Sequence, residues 1–126
     1  MKIVVLDASI TVRKKIQNLL LDIDSVNLDI ELFEDANDAL FFIKENGADM
    51  IFSSIETMGL DGISFADIVL GEFPQYVSTL FVVTSQNNTE ALEDMKNVGV
   101  KRFIKKPINE EHFKHFMIPE IKKYIR

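Results

Sequence analysis

Ile3-Val4-Val5-Leu6-Asp7-Ala8-Ser9 opens the chain with four consecutive apolar residues, then an acid, then a small hydroxyl residue. An unbroken apolar run, unlike an alternating one, suits a strand covered on both faces, the condition of a parallel sheet interior. Ser9 offers a helix cap ahead of Val12, Ile16, Leu19 and Leu20, whose spacing puts them on one helical face. One strand running directly into one amphipathic helix is a βα unit. Met50-Ile51-Phe52 and Leu80-Phe81-Val82-Val83 repeat the strand signal further along.

Two weaker strands complete the set. Leu28, Ile30 and Leu32 alternate with Asp29 and Glu31, which predicts a strand with one wetter face at a sheet edge. Phe103 and Ile104, between basic residues and ahead of Pro107, predict a short fifth strand at an edge or ending there. Helical patterns fill the gaps. Asp35 caps a helix with Ala39, Leu40 and Ile43 inward and Gly47 as its stop. A third helix runs from about Gly62 through Phe65, Ile68 and Val69 to Gly71. Asn88 precedes a fourth with Ala91, Leu92 and Met95, ended by Gly99. Asn109 precedes the last, with Phe113, Phe116 and Met117, and Pro119 predicts a kink or break near Ile118 because it removes an amide donor and crowds the preceding turn.

Alternating strands and helices imply an α/β fold, a doubly wound five-stranded parallel sheet of right-handed (βα)5 units, with residues 1–126 forming one domain. The edge-like second strand selects the flavodoxin-like order 2-1-3-4-5, in which ligands meet the carboxyl ends of strands one and three. The strand ends carry Asp7, Ser54, Thr84 and Lys106, so these four are expected in one crevice.

Composition narrows the function. A hydrophobic fraction of 47% and a charged fraction of 27% are ordinary for a globular chain of 126 residues. The sequence contains no cysteine, which excludes disulfides, thiolate metal sites and thiol nucleophiles. The first apolar run ends at Asp7, too soon for a signal peptide or a membrane span, so a cytoplasmic protein is expected. A net charge of -6 argues against general nucleic-acid binding. That charge is uneven: from Lys96 onward nine Lys or Arg face Glu110, Glu111 and Glu120, giving +6 and leaving -12 on the earlier part. The basic end reads either as a solvated face or as a docking face for an acidic partner.

Taken in order, these residues resemble the receiver domain of bacterial response regulators over essentially the whole chain. Ile3 to Ser9 with Thr11-Val12-Arg13 is similar to that family's first strand, acidic pair and following helix. Asp49 to Ser54, continuing through Met58-Gly59-Leu60-Asp61-Gly62, is similar to its third strand and loop. Thr84 matches its switch hydroxyl, Phe103 its switch aromatic, and Lys106-Pro107 its lysine and the cis bond after it. The resemblance implies phosphorelay signalling through protein contacts, with a histidine kinase or an output protein as partner, and no enzymatic activity of its own. It places the partner face on the fourth helix, fifth strand and fifth helix, where Lys101, Arg102 and Lys105 flank Phe103.

The departures bear on function. In the family, two adjacent acids after strand one and an acceptor aspartate after strand three hold Mg²⁺ and take the phosphoryl group. Here the second acid is Ala8, the acceptor position is Ser54, and the proline four residues beyond is Met58. A serine hydroxyl needs a general base and would form a stable ester, whereas a carboxylate is an already charged nucleophile. Asp7 alone should bind Mg²⁺ poorly or not at all. The expected result is a pseudo-receiver whose remaining Asp7 and Lys106 balance each other without a metal, through a contact contributing about 0 to 1 kcal/mol if exposed.

Other readings stay open for single residues. Glu56 can lend a replacement carboxylate to a metal, or be an unremarkable loop glutamate. Ser54 can be a hydrogen-bonding pocket residue or a kinase target, which leaves a receiver phosphorylated or metal-bound at an unconventional residue as the alternative. Thr84 and Phe103 can be packing residues, and the Lys106 stem can simply cover apolar surface. A flavin-binding electron carrier of the same fold lacks support, because Asp7-Ala8-Ser9-Ile10 is not a Ser/Thr/Gly-rich phosphate loop. A hydrolase would need a Gly-x-Ser-x-Gly elbow, and none occurs.

Overall fold

The three continuous apolar runs fold as β1 (Lys2–Leu6), β3 (Met50–Ser54) and β4 (Leu80–Ser85), and their apolar residues are buried throughout. The computed structural model describes every residue except 24–26, 86–88 and 124–126. β2 (Asp29–Phe33) and β5 (Arg102–Lys106) form the two edges of a five-stranded sheet of order β2-β1-β3-β4-β5, with every pairing parallel. Their half-buried side chains follow from having a neighbour on one side only.

Helices cover both faces, as parallel strands require. On one face α2 (Ala36–Asn46), α3 (Gly62–Glu72) and α4 (Thr89–Asn97) pack Ala39, Ile43, Phe65, Val69 and Met95 against Val4, Ile51 and Val82. On the other, α1 (Ile10–Leu21) and α5 (Glu110–Lys122) pack Ile16, Leu20, Phe113 and Met117 against Val5, Phe52 and Phe81. Phe52 stacks on Phe81 at 5.3 Å and meets Phe113 at 5.8 Å. Each such side chain, taken fully out of water, contributes about 1.5–3 kcal/mol.

The caps sit where short polar side chains precede apolar faces. Ser9 Oγ accepts from the Val12 amide, Asp35 from Asn37 and Asp38, and Asn109 from His112. Gly47 ends α2 with φ 72. Asn88, expected to precede α4, lies outside the described residues. The Lys106–Pro107 bond is cis, as the resemblance implied.

Several local expectations are corrected. Of the kink or break expected near Ile118, the break does not occur, and α5 runs from Glu110 to Lys122 with Pro119 inside it. The turn beyond the proline is held by Ile121, fully buried in the core, and by Glu120, which pairs with Arg102 and Lys123. Phe116, set with Phe113 and Met117 in the helical pattern, is 42% exposed and lies edge-on to Phe81. α3 passes Gly71 and ends at Glu72. A short 3-10 helix over Pro74–Ser78, which no apolar periodicity announced, buries Tyr76, and the Tyr76 hydroxyl accepts from the Ala48 amide at 3.1 Å.

Candidate functional site

Asp7, Ser54, Thr84 and Lys106 come together at the carboxyl end of the sheet because each ends or follows a parallel strand. Asp7, just past β1, is 2% exposed. Its Oδ1 accepts from the Ser9 amide at 2.8 Å and its Oδ2 from Lys106 Nζ at 3.1 Å. Both carboxylate oxygens therefore have a partner. The contact is half-sheltered, since the Lys106 side chain is 26% exposed and that of Asp7 only 3%, so the value for an exposed pair does not apply. Removing the lysine would leave a buried acceptor unpaired, a larger loss than an exposed pair implies.

Ser54 ends β3 and is buried, and its hydroxyl donates to the backbone carbonyl of Glu56 at 2.8 Å. The Ala8 amide donates to the same carbonyl at 3.1 Å. Glu56 thus enters the pocket through its main chain, stitching the β1 loop to the β3 loop, while the residue as a whole is exposed. Gly62 makes this arrangement possible: a Cβ there would stand 1.8 Å from the Ser54 carbonyl oxygen, so only glycine lets α3 begin so close to β3. Gly59, at φ 74, turns the same loop toward Asp35.

Arg13 is the residue that sequence reading passed over. From α1 its Nη1 reaches back to donate to the carbonyls of Asp7 at 2.6 Å and Ala8 at 3.3 Å, tying the β1–α1 loop from behind. Its position five and six residues past those carbonyls was the available signal. Thr84 is buried at the end of β4, with its hydroxyl donating to the Ser85 carbonyl at 3.3 Å. A cavity of about 230 Å³ opens beside it between Glu56, Ser85 and Lys106.

For a divalent cation the donor set is thin. Asp7 is the buried carboxylate of the pocket, and its oxygens are engaged by Ser9 and Lys106. Among the described residues no group of three or more His, Asp or Glu side chains is placed to hold a metal ion. Mg²⁺ favours octahedral oxygen coordination with carboxylates and waters, so these residues do not fit it.

Along β5 the basic residues divide. Lys101 and Lys105 are exposed, and Phe103 is half-buried between two grooves of about 250 and 380 Å³. Arg102 is built into the molecule instead. It pairs with Glu120, donates to the Ser78 carbonyl at 3.1 Å, and lies 4.8 Å from the Phe81 ring centre and 5.1 Å from that of Phe116. Burial alone would raise the Glu120 carboxyl, but hydrogen bonds from Arg102 and Lys123, with their charges, outweigh it and hold the group below the usual glutamate range.

No curated protein is matched by the sequence. Solved structures of the same fold are numerous. The signal receiver domain of an HD domain-containing protein from Pseudomonas fluorescens Pf-5 superposes with a TM-score of 0.81 at 17% identity, covering 97% of this chain and 94% of that one. The receiver domain of NtrX from Brucella abortus gives 0.78 at 21% identity over 98% and 99%. The chemotaxis response regulator CheY4 of Vibrio cholerae gives 0.75 at 23% identity over 99% and 98%. These likenesses establish the fold, and no helix among the described residues is long and apolar enough to cross a membrane. The sequence itself matches the response regulator receiver domain over residues 3–117, and the chain belongs to that family of two-component signalling modules.

Proposed function

We propose that this chain is a pseudo-receiver, a single domain over residues 1–126 that signals through protein contacts without aspartyl phosphorylation. One observation carries the reading: the residue ending β3 is Ser54, buried, with its hydroxyl given to the Glu56 carbonyl. A hydroxyl given to a main-chain carbonyl is not paired with a histidine base, and both histidines, His112 and His115, belong to α5. The neighbouring Lys106 is held by Asp7, so the charge that would receive a phosphoryl oxygen is balanced within the protein. With Ala8 in place of a second acid, Mg²⁺ binding is weak or absent and no cofactor is needed.

The work then falls to the surface around β5. Lys101 and Lys105 supply exposed positive charge and Phe103 a half-buried aromatic anchor, a combination suited to a protein partner such as a histidine kinase or an output protein. Arg102 organises that face from within. The module is read as cytoplasmic and non-enzymatic, and its net charge of -6 disfavours general nucleic-acid binding. Incubation with acetyl phosphate and Mg²⁺ tests the reading by intact mass. No phosphate-dependent gain is expected, and a stoichiometric gain that disappears in Glu56→Ala would instead establish a receiver working through a replacement carboxylate.

A further inference from the structure

The two edges of the sheet carry opposite charge on the same face. On β2, Asp29, Glu31 and Phe33 share one side, and Phe33 packs there against Phe42 of α2 at 5.5 Å. On and beside β5, alternation puts Lys101 and Lys105 on the side of Phe103, which packs into that same α2–α3–α4 core. The opposite side is apolar at both edges, with Ile30 and Leu32 on β2 and Ile104 on β5 packed into the α1–α5 core. Because all five strands are parallel, a second copy displaced sideways, without being turned over, brings its β2 beside β5 with strand direction and both faces preserved.

The backbone allows the pairing. Asp29 donates to the Met1 carbonyl and Phe33 accepts from the Asp7 amide, so these residues face β1. The alternation of a parallel ladder then turns the amides and carbonyls of Ile30 and Leu32 outward, an unpaired template. Arg102 and Lys106 take no part, being held by Glu120 and Asp7.

We propose that the β5 edge receives the β2 edge of a second copy of this chain, continuing the sheet head to tail with Lys101 and Lys105 beside Asp29 and Glu31. The inference rests on the reading of Lys101, Phe103 and Lys105 as a contact surface, and it does not depend on the chemistry at Ser54. Such a contact is heterologous, so each added copy leaves one free edge of each kind. The net charge of -6 on every copy opposes growth and keeps the association weak and salt-sensitive.

Sedimentation velocity from micromolar to millimolar protein tests it. The average mass of the wild type should rise with concentration at low salt and fall back when salt is added. Asp29→Lys with Glu31→Lys should be monomeric alone, as should Lys101→Glu with Lys105→Glu, and mixing the two should restore association. The neutral set, Asp29→Asn with Glu31→Gln and Lys101→Gln with Lys105→Gln, should weaken association without rescue on mixing, which separates charge pairing from misfolding. A wild type that stays monomeric, oligomers that persist in either reversed variant, or a mixture that stays monomeric overturns the proposal. None of these variants touches Asp7 or Ser54, so a phosphodonor experiment on the same proteins reports separately on the pseudo-receiver reading.

Discussion

Asp7 and Lys106 are ninety-nine positions apart in sequence and in contact in space, and the energetic weight of their contact depends on burial rather than on charge alone. Lys106→Met leaves Asp7 Oδ2 without its partner in a 2% exposed residue, and a loss of about 1–3 kcal/mol is expected in urea unfolding. Asp7→Asn in the same background should recover part of that loss, and a double variant less stable than Lys106→Met alone would show that Lys106 was not the group satisfying Asp7. Gly62→Ala should be far more severe, above about 4 kcal/mol, because its methyl meets a backbone oxygen that no rotamer can move aside. A near-neutral Gly62→Ala would mean that α3 does not abut β3 as described.

Glu120 gives a pH dependence. Its folded-state carboxyl titrates below the ordinary glutamate range, so its stabilisation is complete above that range and is lost as pH falls through the lower, folded value. Thermal melts of Glu120→Gln should accordingly lose less stability than the wild type on acidification, while being lower by about 1.5–3 kcal/mol near neutrality. Parallel curves for the two proteins would remove Glu120 from the acid transition. At this scale the sequence was readable where a side chain acts through its own chemistry, as Asp7 and Lys106 do. It was not readable where the main chain acts: Glu56 read as either a replacement carboxylate or a plain loop residue, and neither reading announced that its carbonyl accepts from Ser54 and Ala8.

Among the elements, α5 departs most from expectation. A proline in a helix interior removes a hydrogen bond and crowds the carbonyl four residues back, at a cost of about 3 kcal/mol, yet the helix continues for another turn. Ile121 in the core and the Arg102–Glu120–Lys123 cluster supply what local propensity lacks. Pro119→Ala is predicted to stabilise the protein by about 1–3 kcal/mol in chemical denaturation. A destabilised Pro119→Ala would show that the proline ring itself is needed for packing. Tertiary contacts of this kind are invisible in a local reading, which is why a kink or break was expected near Ile118 and why the ring contact of Phe116 with the Arg102 guanidinium was not. The helix caps were legible because Ser9, Asp35 and Asn109 each satisfy amides within their own first turn.

For the whole molecule, strand order and direction followed from the contrast between continuous runs in β1, β3 and β4 and the mixed runs in β2 and β5, since residue polarity records how many neighbours a strand has. The convergence of Asp7, Ser54, Thr84 and Lys106 followed in turn from topology. What topology leaves open is whether that pocket still performs acyl-phosphate chemistry, because the scaffold is the same with or without it. The buried carboxylate of the pocket, Asp7, is already paired, and the serine hydroxyl is given to a backbone carbonyl. Isothermal titration of millimolar Mg²⁺ with beryllofluoride into the protein tests this most directly. A flat trace is predicted, and saturable, stoichiometric, Mg²⁺-dependent heat would contradict a receiver that signals without aspartyl phosphorylation.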